Sequence, residues 1–83
     1  MMPYGMGMAT RRKVTGSYTT PGGRLVSYAA CDGIDGLTYA TLGVDGLALG
    51  EVHIGDVAAT LAPTITWKEG RIVARKIMEA MGR

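Results

Sequence analysis

TWKEGRIVARKIMEAMG, residues 66–82, carries the strongest periodicity in the chain and frames the reading of everything before it. Gly70, Val73, Ala74, Ile77, Met78 and Met81 recur at helical spacing and form one apolar stripe. Lys68, Glu69, Arg71, Arg75, Lys76 and Glu79 occupy the opposite side, with Arg75 and Glu79 one turn apart. Thr66 followed three residues later by Glu69 has the form of a capping box, in which hydroxyl and carboxylate satisfy orphan N–H groups of the first turn. Gly82 supplies a C-terminal stop. The segment therefore predicts one amphipathic helix over 66–82. Trp67, at its start, is expected to anchor the helix on a sheet. Gly70, which lowers helix propensity by about 1 kcal/mol relative to Ala, is expected to permit a close helix–sheet contact.

A stripe of that width needs a sheet to cover, and the preceding residues supply one. Leu37–Val44 and Leu47–Ile54 flank Asp45-Gly46, the two-residue turn that best matches hairpin twist. Pairing outward from that turn sets Val44 opposite Leu47, Leu42 opposite Leu49, Ala40 opposite Glu51 and Thr38 opposite His53. Tyr39 then opposes Val52, and Leu37 opposes Ile54, on the other face. Apolar side chains fall on both faces of this hairpin, and one helix covers only one face. Two resolutions follow: a partner buries the second face, or a bulge at Gly50 rotates the strand and brings the apolar groups together.

A second hairpin, 12–30, is read around Thr20-Pro21-Gly22-Gly23 as a type II turn with Gly22 at positive φ. It places Val14, Tyr18, Leu25 and Ala29 on one face, with Lys13, Thr15, Ser17, Arg24, Val26 and Tyr28 on the other. Residues 55–65 read as a connector, with Asp56 a favourable N-cap and Pro63 a terminator. A ten-residue echo (Gly33-Ile34-Asp35-Gly36-Leu37, Gly43-Val44-Asp45-Gly46-Leu47, then His53-Ile54-Gly55-Asp56-Val57) reflects strand-turn spacing and not a repeat array. The expected fold is α+β: two hairpins forming a small antiparallel β-sheet or partial barrel, followed by one C-terminal helix. Residues 1–10 form an irregular arm, and 11–83 a single domain.

At 83 residues such a domain buries only about 60% of its unfolded surface. Cys31 is the sole cysteine, so no intrachain disulfide reinforces it, and self-association is the expected source of further stability. The composition, 47% hydrophobic and 19% charged, excludes a disordered chain. The stretch 33–62 is interrupted by Asp35, Asp45, Glu51, His53 and Asp56, so no membrane-spanning helix fits there. The N-terminus lacks the basic start of a secretory signal. A cytoplasmic or virion-associated location is expected.

The candidate chemistry is sparse. Glu51 and His53 share a strand face and form an acid/base pair in outline, but no nucleophile is placed beside them. One His and one Cys are too few for a structural zinc, and no cofactor is expected. The Asp-Gly dipeptides lack calcium-loop spacing and Pro21-Gly22-Gly23-Arg24 lacks a P-loop's Lys-Ser/Thr, so both are read as turns. Cys31 is read as a small buried thiol.

Two surfaces remain. Met6 and Met8 of the arm, with Leu42, Val44, Leu47 and Leu49 of the sheet, form an expected interface in a non-enzymatic assembly subunit. Its partner is a second copy or a larger particle. Arg11, Arg12 and Lys13 with Arg71 and Arg75 form an alternative nucleic-acid surface if arm and helix lie together. The net charge of +2 gives that alternative only slight support, and no aromatic residue is read as part of it.

Overall fold

The strands form in the order the turns dictate. The computed structural model describes residues 13–83; the arm, with Met6 and Met8, and the cations Arg11 and Arg12 lie outside the described residues. Four strands, β1 (Lys13–Thr19), β2 (Leu25–Asp32), β3 (Thr38–Val44) and β4 (Leu47–His53), pair consecutively into one open antiparallel sheet. A 3₁₀ turn (Ile54–Asp56), a short helix α1 (Val57–Leu61) and the long helix α2 (Trp67–Ala80) follow. The α+β expectation holds. The sheet is open, not a barrel, and its two hairpins are joined by pairing of β2 with β3.

The hairpin around Pro21 closes differently from expectation. Gly23 N–H donates to the Thr20 carbonyl, and the residue at positive φ is Gly23 (90°), one later than the type II reading requires. Pro21 at the second turn position followed by a left-handed glycine is the three-residue hairpin pattern. The extra residue resets the register. Val14 pairs with Ala30 and Tyr18 with Val26, so the helix-facing set is Val14, Tyr18, Val26, Tyr28 and Ala30, with Leu25 and Ala29 on the opposite face.

In the β3–β4 hairpin, Asp45 and Gly46 adopt the expected left-handed pair (φ 51° and 85°), and Val44 opposes Leu47. Two residues later the register slips: Gly43 pairs with Ala48 but Leu42 with Gly50, leaving Leu49 as the extra residue of a bulge. Gly50 takes φ 92°, a backbone region that L side chains rarely adopt. Beyond the bulge every partner shifts by one. Ala40 opposes Val52, Thr41 opposes Glu51 and Tyr39 opposes His53, not the pairs expected from an unbroken ladder. The slip moves Val52 onto the helix side beside Leu42 and Val44, and leaves Glu51 and His53 on the outer face.

Both helices cover that one side. Val26, Ala30, Ala40, Leu42 and Val44 pack against Val57 and Leu61 of α1, Ile65, Val73 and Ile77 of α2, and Met81 at its C-cap. Each fully buried Val, Leu or Ile side chain among them stabilises the fold by about 1.5–3 kcal/mol. Residues 55–65 are thus more than a connector, since α1 contributes two fully buried side chains. Asp56 stands at the N-cap of α1 without a side-chain capping bond. The capping box of α2 is complete: Thr66 Oγ1 accepts from Glu69 N–H at 3.1 Å, and Glu69 Oε1 from Thr66 N–H at 3.0 Å. At the other end, Arg83 N–H donates to Met78 C=O and Gly82 N–H to Glu79 C=O, a Schellman closure around Gly82. Gly70 faces α1 and not the sheet. A Cβ there would lie 3.0 Å from Ala58 Cα, so its missing side chain sets the approach of the two helices.

Two ion pairs fasten distant segments. Asp45 accepts from Leu25 N–H and from Arg24, tying the β3–β4 turn to the start of β2. Arg83 grips Asp32 through both terminal guanidinium nitrogens and also reaches the Thr38 hydroxyl, pinning residue 83 beside β2 and β3. Among the described residues, no helix is long and apolar enough to cross a membrane.

Candidate functional site

Cations that fold the chain are separable from cations that do not. Arg24 and Arg83 are engaged in the two ion pairs above. Lys76 lies over the Tyr18 ring, 5.5 Å from its centroid, and braces α2 against β1. Lys68, Arg71 and Arg75 form no ion pair among the described residues, and all three are exposed on the side of α2 turned away from the core. They sit there because the Gly70, Val73 and Ile77 stripe fixes the helix rotation. Arg71 and Arg75 then stack one turn apart, about 6 Å along the axis.

Trp67 belongs to this row and not to the core. Its position four residues before Arg71 places it on the same side of α2, where it remains 58% exposed, correcting its expected role as an anchor on the sheet. Ile72 adjoins it, partly exposed, and Trp67, Lys68, Arg71, Ile72 and Arg75 together line an open groove of about 580 Å³. Lys68, Trp67 and Ile72 are additions to the basic surface expected from sequence. The i, i+4, i+8 spacing of Trp67, Arg71 and Arg75 carried that signal, once the indole is taken off the core side.

Lys13 does not join them. Val14, Gly16 and Tyr18 alternate toward the helices, so Lys13 sits on the outer sheet face, away from Arg71 and Arg75. The expected assembly residues are also divided. Leu42 and Val44 are buried beneath the chain's own helices and Leu49 is half-buried against the same core, while Leu47 is 68% exposed at the β3–β4 turn. The apolar second face expected of that hairpin is reduced, because Val52 and Ile54 pack against the helix-side core while Tyr39 stays on the outer face and Leu37 is exposed.

Glu51 and His53 lie on the outer face, without a hydrogen bond or ion pair between them among the described residues. His53 Nδ1 accepts from Gly55 N–H at 2.9 Å, capping the 3₁₀ turn, and its ring meets Tyr39 edge-on at 5.7 Å between centroids. Tyr39 donates its hydroxyl to Asp35 at 2.6 Å. That bond, with a second from Leu37 N–H, holds the Asp35 carboxyl below its ordinary range and pushes the Tyr39 phenol up. Asp35, Tyr39 and His53 thus form one connected polar corner on the outer face, joined by the Tyr39–Asp35 hydrogen bond and the Tyr39–His53 ring contact. A shallow depression of about 320 Å³ beside it is lined by Cys31, Asp35, Tyr39 and Glu51, among others. No described group of three or more His, Cys, Asp or Glu is placed to hold a metal ion.

The chain matches no protein-family model, no curated protein and no solved structure in the three comparisons made.

Proposed function

We propose that this domain is a non-catalytic module that binds nucleic acid through the open face of α2. The observation that carries the reading is that Lys68, Arg71 and Arg75 stand exposed and unpaired among the described residues, beside an exposed tryptophan. The net charge of +2 is small, so the reading rests on how these three cations are grouped on one helix face and not on the overall charge. The module needs no cofactor for this role.

The test is the double substitution Arg71→Glu and Arg75→Glu, compared with wild type for binding to mixed-sequence nucleic acid at low salt. Reversal is expected to weaken binding by at least about tenfold while leaving the thermal midpoint nearly unchanged. Unaltered affinity would reject the reading.

A second reading, a self-associating assembly subunit, draws on a different surface. The outer sheet face has no described element over it, and Thr15, Ser17, Ser27, Ala29, Thr41 and Ala48 keep its middle low, between larger side chains such as Lys13, Leu25, Tyr39 and Glu51 toward its ends and edge, so that another sheet face can approach there. A second copy of the chain is the partner that surface suits best.

A further inference from the structure

We infer that the α2 face selects single-stranded over double-stranded nucleic acid, with Trp67 as the residue on which a base stacks. This rests on the nucleic-acid reading above and specifies its substrate. Phosphate recognition alone requires only cations, and Lys68, Arg71 and Arg75 supply them. An indole 58% exposed in the same row adds something a duplex cannot use, because paired bases are stacked on each other and present no free π-face. Trp67 stands at the first residue of α2, with Arg71 and Arg75 following at one-turn intervals on the same side. A base laid on Trp67 therefore directs its 3′ or 5′ phosphates along the arginine row. The helix is 14 residues, about 21 Å, so the contact covers only a few nucleotides. Ile72 closes the flank of the groove and shields the stacked base from water.

An anionic lipid surface is the competing occupant for a helix carrying Trp, Ile and basic residues. Interfacial helices insert a continuous apolar face. The apolar face of α2 is already buried on the sheet and α1, and its open side offers only Trp67 and Ile72. The charge pattern with one aromatic platform fits a strand of bases better than a membrane.

Trp67 is the only tryptophan, so its fluorescence reports on the proposed contact directly. The full chain is titrated with a mixed-sequence single-stranded oligonucleotide, with the same sequence as a duplex, and with vesicles containing phosphatidylserine. The expected result is strong quenching by the single strand, at least about tenfold weaker binding of the duplex, and no blue shift with vesicles. Trp67→Ala is expected to lower single-strand affinity by about tenfold, and Trp67→Tyr to restore most of it, with binding of both variants read by anisotropy of a labelled oligonucleotide. Equal binding of single strand and duplex with unquenched Trp67 overturns the stacking proposal while leaving the nucleic-acid reading intact. Binding to neither form rejects both. A blue shift with vesicles alone assigns the face to lipid and also overturns the proposal.

Discussion

Asp45 shows how much one side chain does at a hairpin tip. Its backbone takes a left-handed conformation that asparagine and aspartate tolerate, while its carboxylate reaches across to Leu25 N–H and Arg24. Those bonds, the Leu25 N–H first and the guanidinium second, hold the carboxyl below its ordinary range. A folded pKa below the unfolded value means that the stabilisation is complete above about pH 4 and fades as the pH falls through the folded value. Asp45→Asn keeps the turn conformation and removes the charge. Urea midpoints are expected to show the variant less stable than wild type at pH 7, with the gap narrowing toward pH 2.5. A gap of equal size at both pH values would mean that the ionised carboxylate contributes nothing, and no gap at either would assign the role of Asp45 to the turn alone. The same residue also marks where sequence reading stops. Gly33-Ile34-Asp35-Gly36-Leu37 and Gly43-Val44-Asp45-Gly46-Leu47 are near-copies, yet Asp35 accepts from its own neighbour Leu37 N–H whereas Asp45 accepts from residues twenty positions away. Local sequence specifies that a turn forms. Which donor meets its carboxylate depends on what the sheet brings alongside.

Strand β4 carries the same lesson at the scale of an element. The alternation of 47–54 and the Asp45-Gly46 turn were sufficient to place both strands and their first pair. The register beyond Leu49 was not readable from alternation, because a bulge trades one unpaired residue for the burial of Val52 on the same side as Leu42, and that gain exists only once α1 and α2 occupy the side. Gly50 was the available signal, and its φ of 92° is what the bulge requires. A Cβ at Gly50 would meet nothing within 4 Å, so Gly50→Ala isolates the backbone cost. It is expected to destabilise the domain by about 1–2 kcal/mol, measured by urea denaturation, with no change in the α2 face. An unchanged midpoint would mean that the bulge relaxes to another conformation at little cost. Helix α2, by contrast, was legible almost residue by residue, since its capping box, stripe and Gly82 closure are all local. Trp67 was misplaced, because an indole is the side chain most readily assigned to a core by its apolar area alone, and Gly70 was matched to the sheet when its close neighbour is α1.

At the scale of the whole molecule, the described residues form two layers, with one sheet face that no described element covers, and that geometry separates the two proposed partners. The need for a partner was first argued from apolar groups on both faces of β3 and β4, and the bulge weakens that premise by taking Val52 to the helix side. What remains is an outer surface with small residues at its middle, bordered by the edge strands β1 and β4. Contact through such a surface is short-range packing, which salt does not screen, whereas contact through Lys68, Arg71 and Arg75 weakens as salt rises. If copies pair through the sheet, sedimentation equilibrium is expected to show a concentration-dependent dimer that persists at high salt. Ser27→Glu, which places a charge between the uncharged neighbours Ser17 and Gly43, is expected to make the chain monomeric without reducing nucleic-acid binding. Ser27 is exposed, so the substitution leaves the core intact. A wild-type chain that stays monomeric across the concentration range, at both low and high salt, would remove the assembly reading and leave the α2 face as the domain's one proposed interaction surface.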